Sequence, residues 1–297
     1  MDTLQLLSQS LRGAIIAPPG KLLFVADFAN IESRVLLWCA KDDAGLEMYR
    51  KGVDMYCDMA TTIYGYPVVA DKKNQPPERR LGKEVILAAG FQMGWQKFKQ
   101  RCEIMGILID DDMAQRTIGA FRDKYWRVRE LWTEMETAAG EAAYGKEGET
   151  HECGPTKWWR DGRFLYCQLP SGRRLAYPDP KIKMVTTSWG ARKNALTFMG
   201  VMPMSRKWMR QTSYGGILVQ NCVQAIARDC LAEAIVRLER SNVYQPVLTV
   251  HDEVLAEANE HLGRLEVFEQ IVADVPVWAK GLPIGVEGFA TRRYTKG

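Results

Sequence analysis

Residues 22–34 read Leu-Leu-Phe-Val-Ala-Asp-Phe-Ala-Asn-Ile-Glu-Ser-Arg, an apolar run that stops on a carboxylate and restarts as a charged, periodic segment. Leu22 to Ala26 suits a short buried strand, which puts Asp27 at its end. Ile31 to Ala40 then reads as a helix. The far end of the chain repeats the device. Pro246-Val-Leu-Thr-Val250 leads through His251-Asp252-Glu253 into Val254-Leu-Ala256, the pattern of a hairpin with acidic residues at its tip. Strands at both chain ends with a helical middle predict one sheet domain interrupted by a helical insertion, an α+β architecture.

Within the middle, Asn74 to Pro77 is a breaker, and Glu78 to Met93 restarts as a helix that lasts until Gly94. Ile118, Phe121, Tyr125, Val128, Leu131, Trp132 and Met135 recur at helical spacing, which predicts one long helix over 113–143. Tyr144 to Gly162, rich in glycine and charge, reads as a loop. Leu169 to Tyr177 holds a turn between two potential strands. Cys222 to Arg240 is an amphipathic helix whose buried face carries Val223, Ile226, Ala227, Cys230, Leu231, Ala234, Ile235 and Leu238. Gln224 and Arg228 fall off that face, one turn apart.

The 297 residues are 46% hydrophobic and 26% charged, an ordinary globular balance that argues against long disorder, collagen and small disulfide scaffolds. No apolar run approaches the ~18 to 20 residues that span a bilayer, and Met1-Asp2 does not open a signal peptide, so a cytoplasmic protein with no membrane partner is expected. Seven cysteines without a Cys-x-x-Cys favour neither a disulfide framework nor a four-thiolate zinc site. His151 and Cys153, the one close metal-like pair, read as part of a polar loop. The net charge of +4 says little, but its distribution says more. Asp71 to Arg101 holds eight basic and three acidic residues, and Arg192 to Arg210 five basic and none acidic. Trp95, Phe98, Phe198 and Trp208 interleave with them, a mix suited to phosphate contact and base stacking. Solvated helix faces have the same composition.

Asp27 and Asp252 each interrupt an apolar strand, where a charge is costly unless compensated. Side by side, they could hold two Mg2+ ions ~3.5 to 4 Å apart. Strand-end acids that merely reach solvent give the same pattern. Arg79 and Lys83, four apart, point to one side of a helix, where the planar Arg fork and the Lys point charge could grip a triphosphate. An ordinary basic helix face fits them as well. Leu87 continues that row, and Phe91 lies eight residues beyond Lys83 on the same predicted helix.

Read in order, these pieces resemble one family. Asp27-Phe-Ala-Asn-Ile-Glu-Ser-Arg34 resembles motif A of the family A (polymerase I type) DNA polymerases, Asp-Tyr-Ser-x-Ile-Glu-x-Arg. Arg79-Arg-Leu-Gly-Lys83, with an aromatic residue at 91, is similar to motif B, Arg-x-x-x-Lys followed eight residues later by Tyr-Gly. His251-Asp-Glu253 is similar to motif C. The segments 169–178 and 205–229 resemble the phage-encoded members.

The resemblance implies a template-directed DNA polymerase that adds dNTPs to a primer 3'-hydroxyl, with a palm of antiparallel sheet and helices and inserted helical fingers. Residues 1–40 would be the first part of the palm, 41–177 the fingers and 178–297 the second part of the palm. Asp27 and Asp252, with the backbone carbonyl of Phe28, would bind two Mg2+ ions, for which Mn2+ can substitute. Glu253 would be a catalytic acid beside the metals or the primer end. Arg79 and Lys83 would hold the triphosphate, Leu87 and Phe91 would line the nucleotide site, and Glu32 would crowd the ribose 2' position. His251, Gln224 and Arg228 would touch the primer-template. Thumb and exonuclease domains are expected to be absent, since only 26 residues precede Asp27. Besides primer-template DNA and dNTPs, a separate chain supplying thumb or exonuclease is therefore an expected partner, and a nucleic-acid-binding fragment inert without that partner is the competing reading. A two-metal nuclease is disfavoured, because Arg79 and Lys83 suit a free triphosphate. Two departures from the motifs stand out. Phe91-Gln92 replaces the Tyr-Gly pair, and Leu87 stands where many relatives have Phe. Arg12 sits too close to Asp27 in sequence to be the primer-gripping arginine of relatives.

Overall fold

The computed structural model describes residues 11–70, 75–186, 190–202 and 204–294. Strand β1 (Lys21–Phe28) forms where the apolar run predicts it, and α1 (Ile31–Cys39) follows directly. Helices α2 (Asp43–Arg50) and α3 (Met55–Tyr64) begin on aspartate caps. Asp42 accepts from the N–H of Gly45, and Asp54 from those of Tyr56 and Cys57, satisfying donors that a helix start leaves unpaired. Helix α4 (Pro77–Ala89) starts on a proline whose missing N–H is not needed there. Next come α5 (Trp95–Ile104), α6 (Asp111–Lys124) and α7 (Trp126–Tyr144). Strands β2 (His151–Cys153), β3 (Thr156–Asp161), β4 (Phe164–Gln168) and β5 (Arg174–Pro178) make one antiparallel sheet. Strands β6 (Lys181–Thr186), β7 (Arg192–Val201) and β8 (Trp208–Thr212) make another. The chain closes with α8 (Gly215–Arg240), β9 (Gln245–Val250), β10 (Glu253–Asn259), α9 (Leu265–Ala273) and β11 (Val286–Thr291).

Two compact units result, one of residues 1–31 with 227–297 and one of residues 32–226. In the first, the sheet order is β11-β1-β10-β9, all antiparallel, so strands from both chain ends interleave as expected. β1 is buried from Leu23 to Ala26 because both its faces are covered there. Leu23 and Val25 pack with Leu255 and Tyr294, while Phe24 meets Tyr244 and Phe268 with ring centroids 5.3 and 5.7 Å away.

In the second unit, α3 and α4 touch through a glycine. A Cβ at Gly82 would lie 2.1 Å from the Tyr56 carbonyl oxygen, so no side chain fits without moving backbone. Gly82→Ala is expected to destabilise the protein by about 1 to 3 kcal/mol, the usual scale of overpacking. A urea midpoint equal to wild type would contradict this contact.

Several local expectations need correction. The helix predicted over 113–143 is two, α6 and α7, broken at Tyr125 (φ −105°, ψ 51°). The Phe121 and Tyr125 rings meet at 4.9 Å, tilted by 48°, at the break. Both helices bury the same stripe, so the periodicity runs straight through the kink. The loop expected over 144–162 contains β2 and β3, with Gly154 and Gly162 supplying the positive φ of two tight turns. The insertion is therefore not helical throughout. The helix expected to last until Gly94 ends at Ala89, and the helix expected from Cys222 begins at Gly215. Among the described residues, no helix is long and apolar enough to cross a membrane.

Candidate active site

In the first unit the acidic residues converge at one end of the sheet. Antiparallel register sets Asp27 opposite Glu253 of β10 on one side and Glu287 of β11 on the other. His251 and Asp252 form the two-residue turn between β9 and β10, with His251 in the left-handed region at φ 56°. Such a conformation is uncommon outside glycine and is tolerated by His more readily than by branched residues. The N–H of Phe28 donates to the Asp252 carbonyl at 3.3 Å, which ties this turn to β1.

Like charges facing each other across strands repel. The Asp27 carboxyl is pushed up to about 6, first by lost hydration at the sheet end, then by the charges of Asp252 and Glu253 and a hydrogen bond with Asp252. A carboxylate crowded in this way is stabilised by any cation that arrives. Among the described residues no three His, Cys, Asp or Glu side chains are grouped for a metal. A divalent cation would therefore rest on the two aspartates and on backbone or water oxygens. That set of hard oxygen donors fits Mg2+ and does not fit softer metals.

Glu253 is held by its own partners. Tyr294 Oη donates to Glu253 Oε1, and Arg12 Nη1 lies 3.6 Å from the same oxygen. The Arg12 guanidinium also covers the Tyr294 ring at 4.9 Å. Burial, then the Glu253 contact, drives the Tyr294 hydroxyl well above its ordinary range, so it stays a donor. Arg12, Glu287 and Tyr294 escape a reading by sequence. Arg12 is near Asp27 along the chain, yet its partner is Glu253, 241 positions away. Nothing local marks Tyr294 or Glu287.

In the second unit, α4 presents Arg79, Lys83 and Leu87 in one row. From Leu81 to Gly90 every residue is buried except Lys83 and Leu87. Arg79 Nε donates to Asp54 Oδ2 at 2.7 Å, and its guanidinium lies 5.0 Å from the Tyr56 ring centroid. Lys83 Nζ lies 5.9 Å from the same ring. Burial pushes the Asp54 carboxyl up, but Arg79 and the N–H groups of Cys57 and Tyr56 outweigh it and hold the group below the usual range. Asp54 thus caps α3 and anchors Arg79 at once. No carboxylate among the described residues pairs with Lys83.

Phe91 is not on the helix, because α4 ends two residues earlier; it sits in the turn with Gln92. Gln92 has a φ of 65°, a conformation glycine adopts without strain, and it stands where the motif has Gly. Its Oε1 accepts from the N–H of Gly216 at 2.9 Å, while Glu136 Oε2 accepts from that of Gly215 at 3.0 Å. These side chains cap the start of α8. A Cβ on Gly216 would lie 2.4 Å from the Phe91 carbonyl oxygen, so the turn and α8 are in close contact.

Along α8, Gln224 and Arg228 are exposed between buried neighbours, one turn apart as expected. Gln224 Nε2 donates to Glu32 Oε1 at 3.2 Å, joining two residues that the motifs assign to separate tasks. Asp27, Phe28, Arg228, His251, Asp252 and Glu253 thus belong to the first unit, and Glu32, Arg79, Lys83, Leu87, Phe91 and Gln224 to the second.

The polymerase-like motifs fall on an interleaved antiparallel sheet with acids at one end and on a helix that carries Arg, Lys and Leu in one row. Comparison with known proteins agrees. Residues 4–149 match DNA polymerase family A. The DNA polymerase of Bacillus phage SP02 is 36% identical over 290 residues, covering 98% of this chain and 44% of that protein. The thermostable DNA polymerase I of Thermus aquaticus is 25% identical, covering 95% of this chain and 28% of that protein. In fold, the chain is similar to the POL domain of Pol1 from M. smegmatis, solved in complex with DNA primer-template and dNTP. That likeness has a TM-score of 0.59 and 17% identity, over 96% of this chain and 42% of that one. The likeness to DNA polymerase family A thus covers residues 4–149 by the family pattern and nearly the whole chain by the phage relative. The chain spans less than half the length of these relatives.

Proposed function

We propose that the chain is the palm and fingers of a template-directed DNA polymerase acting in DNA replication or repair in the cytoplasm of a bacterial or phage-infected cell. Residues 1–40 and 178–297 would form the palm and 41–177 the fingers. The observation that carries this reading is the sheet end, where Asp252 and Glu253, from the far end of the sequence, crowd Asp27 and push its carboxyl pKa up, a charge cluster that a cation would relieve.

Asp27, Asp252 and the Phe28 carbonyl would hold the cations. When bound, two Mg2+ ions supply the charge that lowers the pKa of the primer 3'-hydroxyl and neutralises the leaving pyrophosphate. Tyr294 and Arg12 fix Glu253 beside that centre. Asp54 takes the Nε of Arg79, so the guanidinium fork is set in place and its remaining donors face the triphosphate with Lys83. Leu87 and Phe91 line the nucleotide site, and His251, Gln224 and Arg228 touch the primer-template. Catalysis rests on positioning and electrostatics, with no covalent intermediate on the protein.

Glu32 guards the ribose 2' position, and Gln224 Nε2 donates the hydrogen bond that holds its carboxylate. Glu32→Ala is expected to raise ribonucleotide incorporation, and Gln224→Ala to do so by less, about 2- to 12-fold, the scale of one hydrogen bond. Equal dNTP to rNTP ratios in wild type and Glu32→Ala would refute the gate.

Primer extension by the purified chain with Mg2+ and dNTPs tests the assignment, with and without the product of any adjacent gene. Extension in either reaction supports it. DNA binding without extension in both would favour the second reading, a binding fragment.

A further inference from the structure

The sheet of β2 to β5 has one face turned into the second unit and one turned out. Trp158, Leu165, Cys167 and Tyr177 go inward and are buried. The alternate residues of the two central strands go outward, and three of them are aromatic. Trp159 and Tyr166 are cross-strand partners with rings stacked at 5.6 Å, and Phe164 continues the ladder at 5.8 Å from Tyr166. The rings are half-buried or exposed, whereas a core pair such as Trp158 and Tyr177 is almost fully enclosed.

Cations frame this ladder. Arg174 lies over the Trp159 ring at 5.1 Å, and Lys157, held against Glu152 at 2.9 Å, stands one row away on the same face. Residues 156–178 carry five basic side chains and one acidic, so the strip is positive where the chain as a whole is nearly neutral. Beside Trp159 an open cleft of about 390 Å³ is lined by Lys157, Arg160, Gln168 and Thr150, with Glu147 and Asp161 also on its wall. It offers an aromatic wall and groups that can hydrogen-bond a base edge, while its two cations are matched by two carboxylates, so the phosphate contacts fall to the Lys157 and Arg174 side of the ladder. Arg160 Nε has no hydrogen-bond partner among the described residues.

We propose that this face binds single-stranded DNA, stacking bases on Trp159, Tyr166 and Phe164 and meeting phosphates with Lys157 and Arg174. A row of aromatic rings on the central strands of an antiparallel sheet, flanked by cations, is a physical solution to sequence-tolerant single-strand binding, because every base has a face to stack. None of these residues belongs to the metal or triphosphate sites described above, and the inference does not rest on the polymerase reading. Its consequence for a polymerase would be a hold on unpaired template outside the reaction centre.

The test is photocrosslinking of the full chain to an unpaired oligodeoxynucleotide carrying 5-iododeoxyuridine, mapped by mass spectrometry, together with binding of the same strand to variants. Crosslinks on Trp159, Tyr166 or Phe164 are expected. Trp159→Ala and Tyr166→Ala should each weaken single-strand binding by about 10-fold, within the range measured for one stacked base, while Trp159→Phe retains most of it. Melting temperatures equal to wild type separate lost stacking from lost fold, and Trp159→Phe keeps the test decisive if an Ala variant unfolds. Primer extension on a template with a minimal overhang should be unchanged in Trp159→Ala, so failure here is distinct from failure of the polymerase assignment. Crosslinks confined to other peptides, wild-type affinity in a folded Trp159→Ala/Tyr166→Ala protein, or displacement by dTMP as effective as by the strand would overturn the proposal.

Discussion

Replacing Asp252 with Ala is expected to abolish nucleotide addition by a folded protein. Asp252 sits on a two-residue turn and Asp27 on the neighbouring strand, so the substitution removes a charge without opening the core. Loss of one cation site should cost several kcal/mol of transition-state stabilisation, ~10^3-fold or more in rate. Asp27→Ala should behave alike. Each variant should melt no lower than wild type, because removing one member of a repelling carboxylate cluster relieves strain in the metal-free protein. Substantial primer extension by folded Asp252→Ala would remove the metal assignment.

Lys83→Ala should act on the nucleotide and spare the DNA. Lys83 projects from α4 with buried neighbours on either side, and the ring of Tyr56 is its nearest described aromatic companion. A charge-assisted contact to phosphate contributes ~1.5 to 3 kcal/mol, so kcat/KM for dNTP should fall about 10- to 150-fold. Primer-template affinity should change little. Arg79 is a poorer probe, since Arg79→Ala also breaks the bond to Asp54 that steadies α3. Equal weakening of DNA binding with no nucleotide effect would put Lys83 on the duplex instead.

The parts of the site legible in the sequence are those with a local signature. Asp27 and Asp252 declare themselves because a carboxylate ends or interrupts an apolar run. Lys83 and Leu87 stand out only through the resemblance to motif B, since an ordinary basic helix face fits them as well, and Gln224 and Arg228 because they fall off the apolar face of the helix over 222–240. The sheet was legible because the same apolar patterning occurs at both chain ends.

What was missed depends on tertiary contact. Nothing before Gly94 looks like a stop, which predicts Phe91 on a helix, yet Gly90 ends α4, its carbonyl accepting from Trp132 Nε1 at 2.8 Å. Gly215 and Gly216 look like breakers and begin a helix, because Glu136 and Gln92 cap them from other elements. The strands β2 and β3 were hidden in a segment whose glycines and charges resemble a loop, although Thr156 and Trp158 alternate with Lys157 and Trp159. The partnership of Gln224 with Glu32 joins residues 192 positions apart, beyond any pattern of spacing.

The most direct measurement on the carboxylate pair is the ionisation of Asp27, followed by carboxyl carbon-13 NMR with and without Mg2+ and dNTP. Without divalent cation its midpoint should lie near pH 6, raised by its surroundings and by Asp252 and Glu253. A cation bound between Asp27 and Asp252 favours the ionised form, so saturating Mg2+ with dNTP should move the midpoint down to or below the ordinary carboxylate range near 4. The same titration in Asp252→Ala should start from a lower midpoint and respond weakly to Mg2+. A midpoint for wild-type Asp27 that Mg2+ and dNTP leave unmoved would contradict a metal centre at this sheet end.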